Sequence, residues 1–379
     1  MFDSKHYVPI LKWKRAEQRA LRNLEEKDRD AITPLIELVM PTVLREKKGG
    51  IKKTLEEVSS EVVEKFKMKR IKAIPEEIAV SWGTMPVFLD FSLLHDGELT
   101  TRLKIDSITR IMPAGIDLGL KVVPVLNLND AQAIKAAVSS LLMRGHSQGI
   151  CLRITASDLP KTGLLNEKIG AFLSDLHLSE RDIDLLIDIK QINEKGGQHF
   201  QCMNSSQKIR NLATWRNLIF ASGAFPEDLS ECRFQDPTPL PRFDWQHWLY
   251  HIKAKGLERN PTFADYAIRN PVFREELQYH NPTTSIRYTC DNDWMIMKGK
   301  KRRFEYYLAN AKLLVEATGQ FYGESFSWGD QVIAQKAKHY DVYAKDHSVK
   351  GTGSNEDWIA VGINHHLKVV VNQIASLVC

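Results

Sequence analysis

Four apolar runs pair a proline with following hydrophobics: Val8-Pro9-Ile10-Leu11, Thr33-Pro34-Leu35-Ile36, Met85-Pro86-Val87-Phe88 and Val123-Pro124-Val125-Leu126. Proline lacks the amide proton that a sheet ladder needs and is tolerated at a strand's first residue, so each run predicts a strand start. A stretch with helical spacing follows each run: residues 16–27, 51–66, 101–111, and 130–143 with Asp130 as the expected cap. The rhythm continues with an apolar run at 149–154, a helix near 164–176, a run at 184–189 and a helix near 206–215. Residues 218–223 then predict a seventh strand and 262–268 an eighth.

Strands that alternate with helices and stay apolar throughout belong to a parallel sheet buried on both faces. Eight such units within roughly 270 residues match a (β/α)8 barrel, which needs about 250. An open doubly wound sheet is the other possibility, but it usually carries a glycine-rich first turn, and no GxGxxG follows any of these runs. The expected fold is therefore α/β, a TIM-like (β/α)8 barrel with an insertion between strand 8 and the C-terminal helix. Past the eighth strand, residues 285–289 and 294–297 predict a hairpin around Cys290-Asp291-Asn292-Asp293, and helices follow near 304–317 and 330–338. The stretch 357–377 has Ile359, Ile363, Leu367, Val370 and Ile374 at helical spacing. The chain thus divides into a barrel core (1–269), an α+β insertion over the barrel mouth (270–356) and a closing barrel helix (357–379).

With 379 residues, 43% hydrophobic and 26% charged, the composition is that of a globular protein with a sizeable core. The net charge of +5 is a small difference between 52 basic and 47 acidic residues, so it implies no nucleic-acid partner unless the charge is locally clustered. The first residues, MFDSKHYVPILKWKR, lack the pattern of a secretory signal, and no run approaches the ~18 apolar residues of a membrane span. Cys151, Cys202, Cys232, Cys290 and Cys379 are odd in number, scattered and without a CxxC pair, which argues against a disulfide scaffold or zinc ribbon. A cytoplasmic protein with no membrane partner is expected.

Barrel enzymes place their functional groups at the carboxyl ends of the strands. Here those ends carry Lys12, Lys14, Glu37, Asp90, Asn127, Arg153, Asp188, Lys190, Ser222 and Asp265. Alternate residues share a face, so pairs such as Ile10 and Lys12, Leu35 and Glu37, Phe88 and Asp90, Cys151 and Arg153, or Leu186 and Asp188 point the charged member into the mouth. The candidate catalytic set is Lys12, Glu37, Asp90, Arg153, Asp188, Lys190 and Asp265. Two readings stay open. In one, Glu37, Asp90 and Asp188 hold a divalent metal (Mg or Mn) while the cations hold phosphate or serve as acid and base. In the other, the same charges form a salt-bridge network that closes the barrel without chemistry.

Elsewhere, the basic run Lys298, Lys300, Lys301, Arg302 and Arg303, with Phe304, Tyr306 and Tyr307 beside it, fits phosphate or nucleic-acid contact, although most such runs are solvated turns. His95-Asp96 ends the third strand unit, His339 and His347 flank Asp341, and His365-His366 lie in the last helix. Adjacent helical histidines point about 100° apart, which favours structural roles over joint metal binding. Ser222-Gly223 lacks the GxSxG context of a nucleophile. Trp245, Trp248 and Tyr250 read as an aromatic helix packed on the barrel rather than a stacking box.

Tyr7-Val8-Pro9-Ile10-Leu11-Lys12-Trp13-Lys14, Pro34-Leu35-Ile36-Glu37, Phe88-Leu89-Asp90 and Asp265-Tyr266 resemble the phage Beta protein family, and the likeness extends through residues 285–294 to the His365-His366 helix. The family is named for a satellite-phage protein encoded between a toxic gene, gop, and a regulator, cII. The resemblance implies a part in an anti-phage defence cassette, as an antitoxin-like or sensor subunit that restrains or assists the toxic protein of the same cassette. It supplies no catalytic residues. The alternative is a metal-dependent phosphodiester- or nucleotide-processing barrel enzyme acting in defence.

Overall fold

The structure, a computed structural model, describes residues 2–3, 5–40, 43–44, 53–54, 59–95, 99–147, 149–273, 283–348 and 350–377. Strand β1 (Tyr7–Lys12) leads into α1 (Arg15–Arg22) and the single turn α2 (Glu26–Arg29). Next come β2 (Leu35–Glu37), the two-residue strands β3 (Val43–Leu44) and β4 (Lys53–Thr54), and α3 (Ser60–Ser81). Strict alternation then runs through β5 (Pro86–Asp90), α4 (Thr100–Asp117), β6 (Lys121–Asn127), α5 (Gln132–Met143), β7 (Ile150–Thr155), α6 (Thr162–Leu176), β8 (Ile183–Gln191), α7 (Gly197–Ser206) and β9 (Asn217–Gly223). The chain continues with β10 (Thr238–Pro241), α8 (Phe243–Ala254), β11 (Thr262–Asp265), β12 (Thr283–Thr289), β13 (Asp293–Lys301), α9 (Tyr306–Ala317), α10 (Trp328–Tyr343) and α11 (Asn355–Ala375).

Eight parallel strands close on themselves in the order β1, β11, β9, β8, β7, β6, β5, β2, which is the expected (β/α)8 barrel. The apolar runs are buried on both faces because the two sets of alternate residues meet different partners. Val8, Ile10, Leu35, Phe88, Val125, Cys151, Leu186, Ile219 and Ala264 fill the lumen. Leu11, Ile36, Leu89, Leu152, Ile187 and Phe220 face the surrounding helices. Trp245 and Trp248 join that outer layer, as an aromatic packing helix should, while Tyr250 stays exposed.

Several sequence expectations shift. Pro86 opens β5 and Pro34 precedes β2, but Pro9 and Pro124 lie inside their strands, where flanking residues such as Val8 and Val125 keep the ladder. The helix expected at 51–66 is α3 at Ser60–Ser81, because residues 53–54 pair with 43–44 instead. The helix expected at 206–215 is α7 at Gly197–Ser206; Asn211, with φ of 50°, interrupts the stretch that was expected to coil. Asp130 does not cap α5: its carboxylate accepts a hydrogen bond from the Asn127 amide, and Ala131 stands at the cap.

A second layer of structure grows from the same end of the barrel as the mouth. β12 and β13 pair as the expected hairpin, and β10, from the connection after β9, adds a third antiparallel strand. Tyr288, Met297, Tyr307, Leu314, Ile333 and Trp358 form the core beneath this sheet. α11 opens on a Ser354/Asp357 capping box and is buried from Trp358 to Val371, since it lies between α1, α10 and β12. Its burial on several sides explains its nearly continuous apolar sequence.

Candidate functional site at the barrel mouth

Strand register builds the site. Lys12 lies opposite Glu37, Glu37 opposite Asp90, and Asn127 opposite Arg153, so the ends of neighbouring strands bring charged side chains together. Arg153 is buried at the centre. Its Nε donates to Asp188 Oδ2 at 3.0 Å, and its Nη2 donates to Glu37 Oε1 at 2.9 Å, to Asp188 Oδ2 at 2.5 Å and to the Tyr266 hydroxyl at 2.9 Å. Nη1 donates to Asp90 Oδ2. The Tyr266 hydroxyl in turn donates to Asp188 Oδ2 at 2.6 Å. A planar guanidinium can serve three carboxylates at once because its donors diverge in fixed directions, which a lysine ammonium could not reproduce.

Two lysines rim this cluster. Lys190 adopts φ of 57°, its amide donates to Asp188 Oδ1 at 2.9 Å, and its Nζ reaches Glu37 at 3.3 Å and Asp188 at 3.2 Å. Lys12 Nζ donates to the Asn270 carbonyl at 3.0 Å, and both lysines lie over the Tyr266 ring, at 5.6 and 5.1 Å. Three carboxylates therefore face three cations. Burial alone would push the Glu37 and Asp188 carboxyls up, but Lys190 and Arg153 outweigh it and hold both below their ordinary range. Burial, against the pull of Glu37, lowers the Lys12 ammonium to about 8.

Six of the seven candidate residues are thus brought together. Asp265 is not: Ala264 and Tyr266 take the inward positions of β11, which turns Asp265 toward α11. There its Oδ1 accepts from Tyr7 at 2.5 Å and from the Ala267 amide at 2.9 Å, and its Oδ2 accepts from His366 Nε2 at 2.9 Å. His366 Nδ1 accepts from the Thr289 hydroxyl, also at 2.9 Å, a tautomer assigned from these partners. Beside it, His365 bonds to Asp330 and to the Thr289 carbonyl, each at 2.8 Å. The paired histidines of α11 therefore bind barrel and added sheet to one another, and both are fully buried. Sequence reading missed Tyr266, although the two-residue spacing from Ala264 carries the signal; nothing local marks Tyr7 or Thr289 as partners of this helix.

Glu37, Asp90 and Asp188, the candidate metal ligands, surround a guanidinium, and among the described residues no group of three His, Cys, Asp or Glu is placed to hold a metal ion. The basic run at 298–303 is partly engaged. Lys298 Nζ donates to the carbonyls of Leu229, Ser230 and Cys232, Lys300 lies 5.1 Å from the Phe234 ring centre, and Arg303 pairs with Glu305. Lys301 and Arg302 are exposed, Tyr307 is buried and stacks on Trp358, and Phe304 is exposed. Ser222 is buried in β9, and His95 is exposed, while Asp96 lies outside the described residues. No helix among the described residues is long and apolar enough to cross a membrane.

Fold and site define a (β/α)8-barrel protein whose mouth is filled by a compensated ion cluster. The chain belongs to the Beta protein family, whose model matches residues 7–372, nearly its whole length. Among solved structures it is similar to the tryptophan synthase α2β2 complex of the hyperthermophile Pyrococcus furiosus (9% identity, 71% of this chain and 90% of that one, TM-score 0.27). It is also similar to a mutant tryptophan synthase alpha-subunit from the same organism (9%, 70% and 89%, TM-score 0.25). A third similar structure is the IolI protein with a bound zinc atom (10%, 69% and 89%, TM-score 0.24). At such scores the likenesses carry no weight, and the barrel rests on strand pairing. No curated protein matches the chain.

Proposed function

We propose that this protein is the binding subunit of a phage-borne anti-phage defence cassette, an antitoxin-like or sensor component that restrains or assists a toxic protein encoded beside it. Membership of the Beta protein family supports the setting. The observation that carries the binding role is the engagement of the mouth: Arg153 pairs with Glu37, Asp90 and Asp188, three of the four candidate catalytic carboxylates, so these groups serve a buried guanidinium rather than an open substrate position. The partner surface then lies on the rim and the added sheet. The alternative, a metal-dependent phosphodiester- or nucleotide-processing enzyme, draws on one feature, the buried Glu37 Oε2, which lacks a hydrogen-bond partner among the described residues.

The test is phage plaquing and partner toxicity in cells carrying the complete cassette, with wild type, Asp90→Asn and Asp188→Asn proteins shown by circular dichroism to be folded. The binding role predicts unchanged protection and unchanged restraint of the toxic partner in both variants. Lost protection with partner binding retained supports chemistry or ligand sensing in the mouth instead.

A further inference from the structure

Net charge is not spread evenly over this chain. Residues 45–72 hold ten Lys and Arg against five Glu, a local balance of +5, and within α3 itself five Lys and Arg stand against four Glu. On α3, Lys65, Lys69 and Lys72 are exposed. Their i, i+4, i+7 spacing places them on one helical face over a rise of about 10 Å. That face borders α1, where the exposed Arg22 joins Lys69, Lys72 and Glu76 along a shallow groove. Neighbouring cations are paired: Arg70 with Glu77, Arg15 with Glu356 and Arg19 with Asp357. Lys65, Lys69, Lys72 and Arg22 have no salt-bridge partner among the described residues, so their charge is presented outward.

The chemistry of the face selects its partner. Protein interfaces are depleted in lysine and enriched in aromatic anchors, whereas this groove sets Arg22, Lys69 and Lys72 against Glu76 and Glu77, and its apolar members are only Ala73 and Val80. Without aromatic rings it has nothing on which to stack unpaired bases, as single-strand binders do. What remains is attraction to a dense array of phosphates, which lysines serve as point charges without reading bases. We infer that the α1–α3 face, with Lys65, Lys69, Lys72 and Arg22, is a docking surface for the phosphate backbone of double-stranded nucleic acid, independent of sequence. This surface stands apart from the barrel mouth and from the basic run at 298–303, and the inference does not depend on the defence role.

The test is binding of a short labelled DNA duplex to the full chain across a series of KCl concentrations. Each phosphate contact contributes about 0.9 to the slope of log K against log salt, so Lys65→Gln/Lys69→Gln/Lys72→Gln lowers the slope by about 3 and the low-salt affinity by at least about tenfold. Circular dichroism confirms that this surface variant is folded, and Lys168→Gln/Lys253→Gln, at exposed lysines on α6 and α8, should leave slope and affinity as in wild type. A triple variant with the wild-type slope overturns the inference. So does a wild-type protein that prefers polyglutamate to the duplex, which would make the face a site for an acidic protein.

Discussion

Two buried groups of titratable side chains in this molecule reach opposite charge states. At the mouth, burial penalises Glu37 and Asp188, yet both are held ionised because Lys190 and Arg153 stand beside them. Between α7 and α8, His199 lies with its ring centre 5.6 Å from that of His247 and 5.5 Å from that of His251, against Phe220, while Phe200 packs on His251. Neither ring nitrogen of His199 has a hydrogen-bond partner among the described residues. Burial, reinforced by His251 and His247, lowers it to about 3, so it is neutral at physiological pH. Depth inside the protein does not decide whether a group keeps its charge; the sign and reach of its neighbours do.

The largest expected effect comes from breaking the compensated side of this contrast. Arg153→Met leaves three buried carboxylates without their shared donor and should cost about 3–5 kcal/mol in urea unfolding. Next is pH. The folded value of His199 lies below its unfolded value near 6.5, so the unfolded chain binds more protons between these limits. Its contribution is complete above about 6.5 and is lost as pH falls, on the order of 2 kcal/mol by pH 5. Glu37 and Asp188, also lowered, lose their contribution only as pH falls through and below about 4, so acid should act in two windows. His199→Leu should shrink the upper window, to which the lowered His6 and His366 also contribute, in urea titrations at several pH values and leave the lower one. Tyr7→Phe, which removes one of the hydrogen bonds on Asp265, should cost about 1 kcal/mol by the same measurement. Smallest is Lys190→Met: that side chain is 38% exposed, and solvent screening should hold its loss below about 1 kcal/mol.

The barrel was legible because parallel strands leave a mark that needs no partner: apolar runs of the right length, regularly separated by helices. The mouth was legible for the same local reason, since Lys12, Glu37, Asp90, Arg153 and Asp188 each follow an inward hydrophobe by two residues. Asp265 failed because inward parity in β11 belongs to Ala264 and Tyr266, and a polar residue at a strand end can face either way. Which of the two mouth readings the geometry favours was not legible, because Arg153 meets Glu37 and Asp90 across 116 and 63 residues of sequence. The histidine group of α7 and α8 left no local signal, because two helices must dock before three rings meet. The α3 lysines leave no readable run, because Glu61, Glu64, Glu76 and Glu77 share the helix with them.

The central claim, that the mouth is one compensated cluster organised by Arg153, is tested most directly by a mutant cycle in urea. Arg153→Met is measured alone, then together with Glu37→Gln, Asp90→Asn and Asp188→Asn, which neutralise the three carboxylates at nearly constant volume. A single cluster predicts that the combined variant recovers a kcal/mol or more of the loss caused by Arg153→Met, because the stranded charges are gone. Losses that simply add, with no recovery, would contradict it.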